Sequence, residues 1–234
     1  MSVTLIFLAV IAAIAGWWLS QQRMMSKPWL EVGHHHDPRP QGRHPIEPAK
    51  IGLGVFLAVV GALFTLFISA YFMRMASTDW WSTPMPTLLW LNTAVLAAGS
   101  LMLHAAKVSA ERHRDEASRT ALIAALTLGL GFLVGQVFAW RELTDAGYLL
   151  TGNAANSFFY MITGMHGLHI VGGLIALART ILATRKGPID ERATLSITLC
   201  ATYWHFMLAV WLVLFALFSG WANDFIDLCR QILT

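Results

Sequence analysis

His166 and His169 stand three residues apart in SFFYMITGMHGLHIVGGLIALARTILA, residues 157 to 183, and His205 follows on the next apolar run beside Trp204. Imidazole ligates iron, copper and zinc, so a haem or metal centre is the first chemistry to weigh. No carboxylate or thiolate accompanies these rings at ligand spacing. A neutral imidazole bonded to a hydroxyl, a carbonyl or a lipid headgroup accounts for the same residues, and that reading is the stronger. His104, toward the inner end of an earlier apolar run, is expected to be a lone satisfied polar group. His34, His35, His36 and His44 fall in a proline-rich stretch that fixes no geometry, where a solvated loop is expected. Glu142, directly after Trp140 and Arg141, reads as an interfacial anchor or exposed ion-pair residue. Gln136 is more informative, because an amide inside an apolar run must find a partner. Gly131 and Gly135 beside it form a GxxxG pair, so its expected role is helix packing.

Other chemistry is missing from the chain. There is no phosphate loop, no nucleophile with a paired base, and no pair of carboxylates within the apolar runs of the kind that marks a proton pump or secondary transporter. Cys200 and Cys229 show neither CxxC nor zinc-type spacing, which argues against a disulfide framework. A net charge of +3 over 234 residues is too small and too scattered to suggest nucleic acid as a partner.

These side chains must be positioned by membrane helices. The chain is 56% hydrophobic and 12% charged, with a mean hydropathy of +0.58, whereas soluble domains carry about 25% charged residues. Six apolar segments are long enough to span a bilayer: Val3 to Ser20, Ile51 to Phe72, Thr87 to Ala106, Thr120 to Trp140, Ser157 to Arg179 and Leu195 to Trp221. The first lacks a basic leader and a small-x-small cleavage pattern, so it reads as a retained helix. Prolines and glycines punctuate the connections, with Pro28, Pro38, Pro40, Pro45 and Pro48 in the first, Pro84 and Pro86 in the second, and Gly187 with Pro188 in the fifth.

Basic residues alternate from loop to loop. Of the 16 Lys and Arg, thirteen lie in the first, third and fifth connections, and only Arg74, Arg141 and Arg230 lie on the other side. Basic residues gather on the cytoplasmic side of short loops, so this alternation puts both termini on the outer side. Trp80, Trp81, Trp90, Trp140 and Trp221 near the outer boundary, with Trp17 and Trp18 near the inner one, fit an aromatic belt. The expected fold is an all-α polytopic membrane bundle of six helices. An extra N-terminal helix covers 1–20, a cytoplasmic Pro/His-rich loop 21–50, and a five-helix core 51–234.

Within the His-bearing helix, His166 and His169 lie about 60° apart and share a face with Gly173, while Gly164 and Gly167 point to the opposite side. Both faces are therefore expected to contact other helices. His169 and His205 fall about midway along their helices and are expected to meet. Trp204, Leu208 and Trp211 form one stripe with His205 beside it, which predicts a shared aromatic and imidazole interface.

Four stretches taken together resemble subunit III of the haem-copper terminal oxidases: FFYMITGMHGLHIVGG at 158–173, YWHFMLAVW at 203–211, Leu91–Asn92–Thr93 leading a membrane helix, and QVFAWRE at 136–142. The likeness spans roughly Lys50 to Gly220, and HGLH combined with WHF on the following helix is highly specific. The resemblance implies a subunit without redox centres of its own, bound to catalytic subunit I, which holds the haems and copper, with subunit II as a further partner. It also implies a bacterial inner membrane or mitochondrial inner membrane, bound phospholipid in a cleft between helix groups, support of proton uptake, and slower turnover-linked inactivation of the catalytic subunit. By position, His166, His169, Trp204 and His205 match the family's signature at a helix interface where lipid is held, and Gln136 and Glu142 match its polar positions. Family members have seven helices or five, and the extra first helix here looks like the second helix of the longer form. Two carboxylates of the family are absent: Val60 stands at about the position of a lipid-facing glutamate, and the aspartate after WHF is replaced near Leu208. Related subunits of quinol-oxidising or nitric-oxide-reducing complexes, and a free-standing haem- or metal-binding membrane protein, are the alternatives.

Overall fold

The computed structural model describes residues 48–220, apart from 76, 78, 79, 82 and 186. Five helices in this region are long and apolar enough to cross a membrane: α1 (Pro48–Met75), α2 (Leu88–Glu111), α3 (Asp115–Asp145), α4 (Ala154–Thr184) and α5 (Glu191–Phe218). No strand occurs among the described residues. The expected helix Val3 to Ser20 and nearly all of the loop after it lie outside them. The apolar spans set where the helices are, and polar residues carry them further. α3 begins at Asp115 and ends at Asp145, a turn or more beyond the apolar run at each end. A membrane helix continues into the headgroup region because its backbone groups remain paired there.

Successive helices run antiparallel, as their facing residues show: Asn92 meets Gln136, Trp140 meets Thr163, and Trp211 meets Thr93. α2 and α3 form the tightest pair, α5 packs on α2 and α4, and α4 packs on α3. α1 leans on α4 and α5 through one stripe, Val60, Phe64, Ile68 and Tyr71, at helical spacing. Val59, Leu66 and Met73 on its other side are exposed. Val60 is therefore a core residue, 2% exposed, against the expectation that its position faces lipid.

The ends of the bundle are closed by polar bonds that helix termini require. The α2–α3 turn is a Schellman motif: Arg114 N–H donates to Ser109 O at 2.9 Å and His113 N–H to Ala110 O at 3.0 Å. The left-handed residue in it is His113, with φ of 54°. At the same end of the bundle, the Asp115 carboxylate accepts the Ile189 N–H at 3.0 Å and Arg119 donates to Gly187 O at 2.5 Å, fastening the start of α3 to the α4–α5 connection. At the opposite end Asn153 caps α4 by accepting the Ala155 N–H at 3.3 Å, and its amide donates to Trp81 O at 2.7 Å. Thr83 donates to Asn156 at 2.7 Å, so the segment before α2 is held to the head of α4.

Candidate functional site

Trp204, on α5, is 1% exposed and fills a hole made by glycines on three other helices. A methyl group added at Gly129 on α3 would stand 2.8 Å from the Trp204 ring and 2.8 Å from a Leu174 methyl. One added at Gly173 on α4 would stand 3.1 Å from the same ring and 2.6 Å from the Tyr203 ring, and one at Gly99 on α2 would stand 3.5 Å from the indole nitrogen. The absence of side chains at Gly129 and Gly173 is what admits the indole, while Gly99 meets it at ordinary contact distance.

On α4, level with the next turn of α5, His166 is fully buried among rings: Trp211 at 4.9 Å, Phe132 at 5.6 Å and Phe64 at 6.2 Å between centroids. Its Nε2–H donates to Met207 O at 3.1 Å, which joins α4 to α5 and fixes the tautomer. Nδ1 then has no partner within the chain. Phe132 and Trp211 meet edge to face at 5.0 Å and 90°, an arrangement favoured by the ring quadrupoles.

His169 is half-buried and donates from Nδ1 to Met165 O at 2.8 Å, while its own carbonyl accepts the Tyr203 hydroxyl at 2.7 Å. Beside it a cleft of about 370 Å³ lies between α1, α4 and α5. Leu53, Phe56, Leu168, Ala176 and Leu199 make it apolar, and the His169 ring and Tyr203 supply its polar edge.

His205 does not meet His169. Tyr203 faces α4, and two residues later the helix has turned about 200°, so His205 points away from that contact. It emerges on the far side of α5, where its Nδ1 lies 2.5 Å from Ser100 Oγ and its ring 5.8 Å from that of His104. His104 is exposed and beside a second imidazole, not alone.

Gln136 is buried, and its Oε1 accepts from Asn92 Nδ2 at 3.3 Å. Its Nε2 has no partner within the chain. Of the two glycines beside it, only Gly135 is a close approach, lying directly against the Asn92 amide, while a methyl at Gly131 would meet Val95 at 3.8 Å. Gly164 and Gly167 face α3, but added methyls would meet Trp140 and Leu133 at 3.8 Å, an ordinary contact. Close packing is expected at Gly131, Gly135, Gly164 and Gly167; of these only Gly135 shows it, and Gly129 and Gly173 show it as well. Glu142 is exposed in the last turn of α3, and its carboxylate bonds to no described residue.

Several of the residues that hold this core were not singled out from the sequence for their chemistry: Thr93, which accepts the Trp211 indole N–H at 2.9 Å; Thr163, which accepts that of Trp140 at 3.1 Å; and Ser100. The signal that found Gln136, a polar side chain within an apolar run, applies equally to them. Among the described residues, no group of three or more His, Cys, Asp or Glu is placed to hold a metal ion.

Five membrane-length helices, centred on an indole in a glycine-lined hole and on hydrogen-bonded histidine and amide pairs, define a polytopic membrane protein organised by packing. The sequence model of the family described as cytochrome c oxidase subunit III matches residues 2–223. The chain belongs to that family. It is 30% identical over 172 residues to a probable cytochrome c oxidase subunit 3 of Nocardia farcinica, covering 71% of this chain and 85% of that one. It is 31% identical over 171 residues to a probable cytochrome c oxidase subunit 3 of Mycobacterium tuberculosis, covering 71% and 84%. To the cytochrome c oxidase subunit 3 of Thermostichus vulcanus it is 28% identical over 196 residues, covering 80% and 91%.

Proposed function

We propose that this chain is the accessory third subunit of a proton-pumping haem-copper oxidase in a bacterial plasma membrane, acting on the electron route from cytochrome c to oxygen without a redox centre of its own. The family match over residues 2–223 carries this reading. Haem and copper reside in the catalytic partner, subunit I, with subunit II completing the assembly. The chain has six transmembrane helices, the first over 1–20, with both termini on the periplasmic side, as the alternation of basic loops requires. Its work is physical. The glycine-seated indole and the buried His166 hold α2 to α5 as one body, while the cleft against α1 holds an acyl chain of a phospholipid. Leu53, Ala176 and Leu199 then lie toward the cytoplasmic half of the membrane, so the lipid belongs to the inner leaflet, where it shields the proton entrance of the partner and prolongs turnover.

Mild-detergent purification through a C-terminal tag tests this directly. Haem bands and a much larger polytopic subunit should accompany the chain. Ala176→Phe, which fills the cleft, should lower bound phospholipid and shorten the turnover lifetime with the initial rate intact. A colourless chain purified alone would refute the assignment, and unchanged lipid and lifetime in the variant would refute the lipid role.

A further inference from the structure

We propose that the face shared by α2 and α5, centred on His104 and His205, is the docking surface for a transmembrane helix of the catalytic oxidase subunit that presents a carboxylate to the two imidazoles. The proposal rests on the reading of the chain as an oxidase subunit and adds which face is covered and by what chemistry.

Elsewhere the outward side chains of the bundle are those hydrocarbon accepts: Val59 and Leu66 on α1, Leu130 and Val134 on α3, Leu168 and Ile175 on α4. Outward threonines in these spans return their hydroxyls to their own helix, as Thr127 does to Ile123 O at 3.0 Å and Thr202 to Thr198 O at 2.9 Å. The α2/α5 face differs. Two imidazoles emerge on it with their rings 5.8 Å apart, and both are exposed. Ser100 Oγ lies 2.5 Å from His205 Nδ1, which orients the ring; in the tautomer where the hydroxyl donates, Nε2–H is left as a donor with no partner among the described residues. His104 makes no hydrogen bond to a described residue either. Leaving such groups in hydrocarbon is unfavourable, so an acceptor from outside the chain must meet them.

The charge on this face selects the acceptor. Lys107 follows His104 by three residues on the same ridge, its ammonium paired with the Glu111 carboxylate at 3.9 Å, so the two imidazoles stand beside an ion pair whose cation is the nearer charge in sequence. A carboxylate complements the ring donors and forms charge-assisted bonds. A phospholipid headgroup reaches Lys107 and His104, at the inner end of their apolar run, but not His205. His205 sits midway along α5, about 20 Å from either end at 1.5 Å per residue, and at that depth lipid brings only its tails. The surface also admits a helix closely, since Ala97 lies two turns before His104 and Ala209 one turn after His205. At one end of the same seam Trp90, 58% exposed, stands edge-on to Phe215 at 4.7 Å and offers an aromatic anchor.

A photoreactive residue placed at Leu101 on this face, or at Val134 on α3 as the comparison, locates the partner in native membranes. Irradiation should join the Leu101 variant, and not the Val134 variant, to the large haem-bearing subunit. In the purified complex, the double variant His104→Leu/His205→Leu should retain about tenfold less of that subunit on detergent dilution, while His205→Gln, which keeps an amide donor, should retain most of it. Adducts of Leu101 with lipid alone, or a haem subunit reached from Val134 and not Leu101, would overturn the docking face. A native chain that brings down no haem subunit at all would instead overturn the oxidase reading beneath it.

Discussion

Replacing Gly129 by Ala should destabilise the bundle, while replacing Gly167 by Ala should not. At Gly129 the new methyl would lie 2.8 Å from the Trp204 ring, against about 3.5–4.0 Å for relaxed carbon contacts. The indole has little room to withdraw, because Gly173 already meets its other edge closely from α4. Overpacking of this kind costs about 1–3 kcal/mol. The preference of helices for Ala over Gly returns about 0.5–1 kcal/mol. The net loss at Gly129 therefore falls in the range of about 0–2.5 kcal/mol, centred near 1, whereas at Gly167, with Leu133 3.8 Å away, only the gain remains. The assay is the temperature at which half of the detergent-purified complex leaves the monodisperse fraction. It should fall for Gly129→Ala and hold or rise for Gly167→Ala. A Gly129→Ala complex as heat-resistant as the Gly167→Ala complex would refute the view that Trp204 sits in a hole with no room to spare.

Two further outcomes follow from single contacts. Asn92→Ala should cost about 1–3 kcal/mol, because it strips Gln136 of the one bond it makes within the chain, and adding Gln136→Leu should recover part of that loss; a double-variant cycle on the same thermal assay reads the coupling, and strict additivity would contradict it. His113→Gly should raise the midpoint slightly, by about 0.5–1 kcal/mol, since a left-handed backbone disfavours side-chain-bearing residues by about 1–2 kcal/mol and glycine's entropy takes back part of the gain; a lowered midpoint would show that the His113 side chain supports the turn.

Sequence and structure agree best where length and composition decide. Each of the five described spans lies on its apolar run, and the helices overshoot those runs both where a polar side chain caps them, as at Asn153 and Asp190, and where none does, as at both ends of α3. Within one helix the angular arithmetic also held, with His166 and Gly173 on one side and Gly164 and Gly167 on another. What sequence did not provide was the rotation of one helix against the next. A span that is apolar all round has no polar face to mark its outside, so nothing in the order of residues showed that Tyr203, not His205, turns to α4. The same ambiguity hid the role of Gly129, which looks like any other glycine until the indole opposite it is seen. Gln136 was legible because an amide in hydrocarbon demands a partner, but its partner, 44 residues away, was not.

The seat of Trp204 also bears on how the chain is made. Its walls come from α2, α3 and α4, and the side chain that fills it arrives on α5, the last of the described spans to leave a ribosome. Without that side chain the glycine positions that face the ring, Gly129 and Gly173, have no indole packed against them. A product cut short before Trp204 lacks the one side chain that fills this seat, however well its earlier helices have inserted.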